Sequence, residues 1–269
     1  NGSEYDFLEN SILDGVFLNF YHKINFFIRK NIKKHSKLAI LSCSRNEGIY
    51  LLEWIAYHKM LGFEHFFIYS NDNNDGSEFL LDSLSKNKII TWVKNKVSHG
   101  KSAQHKAYSH ALNVIPGLTR FSWVMISDID EFLSIKSDYY NNIYQFISLR
   151  TRSEVDSISF NWRFMGSCEE NSKGDKIFDP LIKRNKDLIR YDVPGDAGMR
   201  LVKSIFRPEK MFHSHAHYPI SPKEINAKFI LSNGEDHLGE KSYSGIQPSK
   251  AFSDNVYFEN ICIYHYFYK

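Results

Sequence analysis

Cysteine is scarce in this sequence of 269 residues: only Cys43, Cys168 and Cys262 are present, and they lie far apart. Their spacing matches neither a disulfide framework nor a zinc-ligand pattern, so the sequence indicates a reducing compartment. No apolar run is long enough to cross a membrane, and no segment resembles a signal peptide. Together these absences favour a cytoplasmic protein.

A strong net charge of either sign is also missing. Lys plus Arg number 34 and Asp plus Glu number 31, which gives a formal net charge of +3 at pH 7. We therefore expect no nucleic-acid partner. Aromatic residues, in contrast, are abundant, with 21 Phe and 16 Tyr. A chain of this length and composition can bury one large α/β core.

The N-terminal part of the chain differs in pattern from the rest. Apolar residues recur at helical spacing between residues 5 and 27, and six Lys or Arg without an acid occupy residues 21–37. We predict a helical, basic segment over residues 1–37 and a single domain over residues 38–269. Residues 21–37 either pack on the domain with a solvated basic face or contact the inner face of the cell membrane peripherally.

Short apolar runs alternate with segments of helical periodicity from residue 38 onward. Strands are predicted at 38–43, 66–69, 89–93 and 121–127, and helices at 50–61, 78–85 and 101–112. This alternation predicts a parallel sheet with right-handed crossovers. Further strands are predicted at 155–164, 201–206, 211–218 and 261–266, a helix at 143–149, and a long loop over the site at 169–200.

Two acidic residues, Asp128 and Asp130, directly follow the fourth predicted strand. In an extended backbone they would point to the same side, where like charges repel unless a cation lies between them. A divalent ion with oxygen ligands is the simplest such cation, and it can bind a diphosphate. Since sites in open α/β sheets lie at the carboxyl ends of strands, the pattern favours a nucleotide-sugar transferase. Asp-x-Asp also occurs at solvated loops and helix caps, which is the competing interpretation.

Polar residues after the first three strands are candidates for binding a nucleotide sugar. The loop of Arg45, Asn46 and Glu47 precedes a helix N-terminus, which favours anions. Aspartates in the next loop either hold the uracil or ribose, or serve only as turn and capping residues. The candidates in these three regions are Arg45, Asn46, Glu47, Asp72, Asp75, Lys101 and Gln104.

Six motifs occur in a recognisable order along the chain. They cover residues 44–47 with Glu53, Trp54, His58 and Gly62, then residues 69–77, 128–132, 162–166, 203–208 and 264–267. Together they resemble the motifs of bacterial family 2-like and family 92 glycosyltransferases, over about residues 38–269. The resemblance implies a GT-A fold, with a Rossmann-like nucleotide-binding half and an acceptor-binding half in a mixed α/β sheet.

The resemblance also implies roles for individual residues. Asp130 would bind the metal directly, and Asp128 would contact the ribose or bind the ion through water. His265 would be the third ligand, unless it is a structural histidine beneath the aromatic C-terminus. The expected cofactor is Mn²⁺ or Mg²⁺, and Trp162 and Lys203, within the matched segments, join the candidates for nucleotide-sugar binding.

The catalytic base is left open. The resemblance implies inversion at the anomeric carbon, which needs a base for the acceptor hydroxyl. The chain departs from the family pattern at residues 167–171, where a small, polar, glycine-rich stretch is usual. The candidates are Glu169, Glu170, Asp196 and His215. Glu131 either contacts the donor sugar or is a buried charge that orients Arg163 or Lys203.

Taken together, the sequence predicts a metal-dependent hexosyltransferase. Its donor would be a UDP-sugar, with UDP-galactose favoured, and its acceptor a glycan or glycolipid in bacterial capsule or lipopolysaccharide synthesis. The alternative is a non-catalytic nucleotide-sugar or glycan-binding module with a GT-A fold. A phosphatase of the haloacid dehalogenase type needs Thr or Val where this chain has Phe132, and is disfavoured.

Overall fold

The computed structural model describes most of the chain from residue 32 onward. The described residues are 28, 32–98, 100–115, 117–136, 138, 140–151, 154–165, 197–211, 213–221, 225–239 and 249–266. Of the helical, basic segment predicted at residues 1–37, the structure describes only residues 28 and 32–37, and residues 35–37 begin a strand, so the predicted segment ends too late. Residues 169–196 of the predicted loop lie outside the described ranges. Within the described part, no helix is both long enough and apolar enough to cross a membrane.

The first half of the domain is a parallel sheet with three crossover helices. Its strands are β1 (His35–Ser44), β2 (His65–Ser70), β3 (Ile90–Lys94) and β4 (Phe121–Ile126). They lie side by side in the order β3-β2-β1-β4. The connecting helices are α1 (Gly48–Met60), α2 (Ser77–Lys86) and α3 (Ala103–Val114). The predicted alternation of strands and helices is confirmed.

The second half extends the same sheet with antiparallel and parallel neighbours. In chain order it contains β5 (Glu131–Ile135), α4 (Ile143–Arg150), β6 (Val155–Met165), α5 (Ala197–Arg200), β7 (Val202–Phe206), β8 (His213–Ser214), β9 (Pro219–Ile220), β10 (Lys228–Leu231) and β11 (Ile261–Tyr266). Short 3₁₀ helices occupy Leu118–Arg120 and Pro208–Lys210. Strand β7 is antiparallel to both β4 and β6, and β11 joins β6 to β5. The predicted α/β fold with a mixed sheet is confirmed.

The apolar runs of the parallel strands are explained by burial on both faces of the sheet. On β1, Leu38 and Ile40 pack against the side that carries Trp54 of α1. Ala39 and Leu41 point the other way, toward the α3 side. A strand covered on both faces has no reason to alternate apolar and polar residues, and its sequence reads as one continuous apolar run.

Two further local predictions are wrong. Asp128 and Asp130 do not project from extended backbone, because the chain turns at residues 129–130 and the Glu131 N–H donates to the Asp128 carbonyl at 3.2 Å. Residues 211–218 are not one strand: β8 and β9 form a small hairpin, closed by the His215 N–H donating to the Tyr218 carbonyl at 2.9 Å. The short strands β5 and β10 were not predicted at all.

Candidate functional site

The acidic turn after β4 lies beside the last strand of the chain. Strand β11 pairs with β5 so that His265 lies opposite Glu131. One residue further on, the Tyr266 N–H donates to the Asp130 carbonyl at 2.9 Å. These backbone contacts fix the C-terminal strand against the turn, and they bring the predicted ligand His265 to the acidic pair.

Lys203 places a cation beside Asp128, the first residue of the acidic pair. Lys203, on β7, is fully buried, and its Nζ lies 2.7 Å from Asp128 Oδ2 and 3.4 Å from Glu131 Oε1. The other carboxylate oxygen of Asp128 accepts a hydrogen bond from Gln104 Nε2, at the start of α3, at 3.0 Å. Both oxygens of Asp128 are therefore engaged by groups of the chain itself.

Glu131 is a buried structural carboxylate. Its side chain is fully buried, and its Oε2 accepts the Asp128 N–H at 2.9 Å. Its Oε1 lies 3.4 Å from Lys203 Nζ and 3.4 Å from His265 Nδ1. The structure therefore places Glu131 as a charge that orients Lys203. Arg163, the other proposed partner, lies instead over the ring of Phe258, at 5.6 Å.

Burial and neighbouring charges shift the pKa values of Glu131, Lys203 and His265. Burial raises the pKa of Glu131, although the positive charge of Lys203 opposes the shift. Burial alone would lower the pKa of Lys203, but Asp128 and Glu131 outweigh it and raise the value. The same holds for His265, where burial is outweighed by the hydrogen bond and charge of Glu131 together with the aspartates, and the pKa is raised. The carboxylates thus stabilise positive charge on both bases, whereas a metal ion would be bound by the neutral form of His265.

Trp162 is packed into the site wall. Its ring stacks on His265, with 4.3 Å between ring centroids and 20° between planes, and His217 meets it at 5.1 Å. The Nζ of Lys203 lies 5.8 Å from the ring centroid. Trp162 is buried, so in this structure it orients His265 and does not present an open face to a ligand.

The three predicted metal ligands, Asp128, Asp130 and His265, are neighbours, but they are not a finished metal site. Within the described ranges, no three His, Cys, Asp or Glu side chains are arranged to hold an ion by themselves. Asp130 is half-buried and its charge acts on His265, while Asp128 is already bound by Lys203 and Gln104. Mg²⁺-type sites commonly use one or two protein carboxylates plus substrate phosphates. The residues present fit an ion of that kind, completed by a diphosphate.

The loops after β1 and β2 bind each other. The Asn46 N–H donates to Asn73 Oδ1 at 3.0 Å, and the Asn74 N–H donates to Asn46 Oδ1 at 2.8 Å. Asp75 accepts the N–H groups of Gly48 and Ser77, both at 3.0 Å, and so performs the capping role that was the second interpretation of this residue.

Of the remaining nucleotide candidates, Arg45 and Glu47 belong to the loop after β1 and Asp72 to the loop after β2, while Lys101 lies just before α3 and Gln104 at its start. Arg45, Asp72 and Lys101 are exposed, Glu47 is half-buried directly before α1, and Gln104 reaches Asp128. Because loops that follow parallel strands share one edge of the sheet, the loops after β1 and β2 border the same edge as the acidic turn. Their contact with a nucleotide stays a prediction.

Among the four candidate bases, only His215 lies within the described residues. It belongs to the turn between β8 and β9, with its ring 5.1 Å from that of His105 and 5.5 Å from that of His217. Burial lowers its pKa, and the nearby His105 and Lys203 act in the same direction, so the imidazole is neutral at pH 7. Glu169, Glu170 and Asp196 lie outside the described ranges.

Sequence reasoning missed His105, whose ring meets those of both His213 and His215. A lone histidine in an amphipathic helix gives no signal by itself. Only the structure places His105 near the candidate site, because it shows that the preceding residue, Gln104, binds Asp128.

Comparison with known proteins decides the family. The model of glycosyltransferase family 92 matches residues 45–231, which include both loops, the acidic turn and Lys203. The chain belongs to glycosyltransferase family 92. The predicted resemblance to this family is confirmed.

Among curated members of glycosyltransferase family 92, a protein of Ricinus communis is 31% identical over 109 residues, which are 38% of this chain and 18% of the relative. One of Arabidopsis thaliana is 27% identical over 140 residues, which are 50% of this chain and 21% of the relative. The chain thus spans about a fifth of the length of these relatives.

Solved structures that match part of the chain include S. aureus TarS 1–349, with a TM-score of 0.36, 12% identity, and coverage of 64% of this chain and 47% of that one. The same protein has also been solved in complex with UDP, with a TM-score of 0.35, 12% identity and the same coverage. A mycobacterial protein has a TM-score of 0.36 and 12% identity, and covers 69% of this chain and 57% of its own.

Proposed function

We propose that this family 92 glycosyltransferase moves a hexose from a UDP-sugar, with UDP-galactose favoured, to a glycan acceptor with inversion, in the presence of Mn²⁺ or Mg²⁺. One observation carries the proposal. The turn of Asp128 and Asp130 lies at the carboxyl end of the parallel strand β4, and β11 brings His265 beside it. Carboxylate and imidazole groups at this edge of an α/β sheet suit a donor diphosphate and its cation.

The chain's own groups prepare this edge for the donor. Lys203 and Gln104 fix the carboxylate of Asp128 in one orientation, where it can accept hydrogen bonds from a ribose. Arg45 at the neighbouring loop is exposed and offers a positive charge to the phosphates. A divalent ion, when bound, would stabilise the charge that develops on the leaving diphosphate.

A base must take the proton of the acceptor hydroxyl as it attacks the anomeric carbon. His215 is neutral at pH 7 and can accept a proton. Glu169, Glu170 and Asp196 stay candidates beside it. The acceptor we propose is a glycan or glycolipid of bacterial surface polysaccharide, such as capsule or lipopolysaccharide, and the basic run of residues 21–37 is the proposed membrane contact.

The test is Asp130→Asn, assayed by release of UDP from UDP-galactose and other UDP-sugars with Mn²⁺. We expect turnover to fall by at least about a hundredfold, because a group that stabilises developing charge contributes on that scale. Thermal stability should stay unchanged, since Asp130 is only half-buried. The matched control is Asp138→Asn, an exposed aspartate beyond β5, which should retain wild-type turnover.

Two results would contradict the proposal. Wild-type turnover in Asp130→Asn would remove the acidic turn from the active site. A wild-type protein that binds UDP-sugar with Mn²⁺ but neither transfers nor hydrolyses it would support a non-catalytic binding module.

A further inference from the structure

The ammonium group of Lys203 lies beside Asp128, the first aspartate of the acidic turn. Lys203 is fully buried, and its Nζ is 2.7 Å from Asp128 Oδ2. It comes from β7, within the central sheet between β4 and β6. A buried ammonium on a strand with neighbours on both sides cannot swing away, so its charge is a permanent part of the site.

The positive charge of Lys203 disfavours the binding of a divalent ion beside it. A lysine ammonium repels a divalent cation, and it also engages an oxygen of Asp128 that would otherwise be a ligand. The second oxygen of Asp128 is engaged by Gln104. Before the donor arrives, the chain therefore offers an ion few free oxygens and a repulsive neighbour.

We propose that Lys203 is a positioning residue that keeps Asp128 out of direct metal coordination and weakens binding of a free divalent cation, so that the cation binds together with the donor diphosphate. The inference rests on the proposed function. A diphosphate supplies the cation with negative charge and with oxygen ligands that the protein alone does not provide. Binding of cation and nucleotide should then be strongly coupled, and the coupling is reciprocal.

The experiment measures Mn²⁺ affinity by the EPR signal of free Mn²⁺, first without nucleotide and then with UDP. Lys203→Met should bind Mn²⁺ about tenfold more tightly than wild type without nucleotide, because one positive charge is removed and Asp128 is released. The increase in Mn²⁺ affinity on adding UDP should be smaller in Lys203→Met than in wild type. Lys203→Arg keeps the charge and should behave as wild type in both titrations.

Two further variants separate a charge effect from loss of structure. Lys203→Met leaves Glu131 without its lysine partner, so the double variant Lys203→Met/Glu131→Gln provides a neutral pair of similar shape. Because it also removes a negative charge, it should keep only the part of the gain that comes from the release of Asp128. Lys203→Met/Asp128→Asn removes the released ligand and should lose most of that gain. Circular dichroism and thermal unfolding establish that each variant is folded.

The outcomes distinguish this inference from the function it rests on. The inference would be overturned if Lys203→Met and Lys203→Met/Glu131→Gln, both folded, bound Mn²⁺ no more tightly than wild type without nucleotide. It would also be overturned if Lys203→Arg bound Mn²⁺ as tightly as Lys203→Met. If Asp130→Asn does not weaken Mn²⁺ binding in the presence of UDP, the proposed metal site fails as well. If Asp130→Asn weakens binding and Lys203→Met gains nothing, only the role of Lys203 is refuted.

Discussion

At the scale of single residues, Asp75 joins the first turns of two helices. Its Oδ2 accepts the N–H of Gly48, the first residue of α1, and its Oδ1 accepts the N–H of Ser77, the first residue of α2. The two helix starts approach so closely that a Cβ on Gly48 would lie 2.8 Å from the Cβ of Ser77. One carboxylate thus caps both helices beside the candidate nucleotide loops.

We expect Asp75→Ala to lower the free energy of unfolding by about 1–2 kcal/mol, the usual cost of losing a helix cap. Urea denaturation followed by circular dichroism measures the change. Asp72→Asn is the matched control: Asp72 is exposed, and asparagine tolerates its positive φ of 48°, so its stability should equal that of wild type. Equal stability of Asp75→Ala and Asp72→Asn would contradict the capping role.

At the scale of elements, the end of α1 sets the angle at which the chain returns to β2. The helix ends at Met60, and Gly62 follows with a φ of +109°, where its N–H donates to the Lys59 carbonyl. A Cβ at Gly62 would also lie 3.1 Å from the ring of Tyr144 on α4. Only glycine satisfies both the backbone conformation and the close approach of α4.

We expect Gly62→Ala to destabilise the protein more than Gly100→Ala. Both glycines have positive φ, but a Cβ at Gly100 meets nothing within 4 Å. Gly100→Ala should therefore cost about 1 kcal/mol, from backbone strain alone. Gly62→Ala should cost about 2–3 kcal/mol, because the contact with Tyr144 adds overpacking. The comparison of unfolding free energies would disprove this account if the two variants were equal.

At the scale of the whole molecule, several histidines are held neutral inside the domain. His58 is fully buried between the Trp54 carbonyl and the Leu133 N–H, and burial lowers its pKa to about 3. Burial also lowers the pKa of His237 to about 4, where its ring nitrogens contact Ser159 and the Phe252 carbonyl. Protonating either ring would leave a charge in a pocket arranged for a neutral ring.

The protein should therefore lose stability as the pH falls below about 6.5. A histidine with a depressed pKa contributes stability that is complete above its unfolded pKa of about 6.5 and is lost toward its folded pKa. For His58 alone, we expect a loss of about 2 kcal/mol between pH 7.5 and pH 5. Urea titrations at both pH values measure this loss.

The control for this pH dependence is His58→Gln, which cannot be protonated and retains a donor and an acceptor. It should be less stable than wild type at pH 7.5 but should lose about 2 kcal/mol less on acidification. An unchanged loss in His58→Gln would show that His58 is not a source of the acid sensitivity.

Much of the candidate site could be predicted from local sequence. The position of Asp128 and Asp130 at the end of β4 follows from the apolar run of residues 121–127, since a strand buried on both faces has to end where charge begins. The need for a cation beside Asp128 also follows from local sequence, because two neighbouring carboxylates repel. The extended backbone assumed for the pair does not follow, because a tight turn after a short strand leaves no periodic signal.

The sequence by itself determined the parallel half of the sheet, since periodicity and burial act over neighbouring residues along the chain. Only the tertiary structure decided that Lys203 is the cation at Asp128 and that Glu131 faces His265, pairs separated by 75 and 134 residues. The physical reason is that two charges interact across space, and the distance between them depends on the order of the strands in the sheet. No short stretch of sequence determines that order.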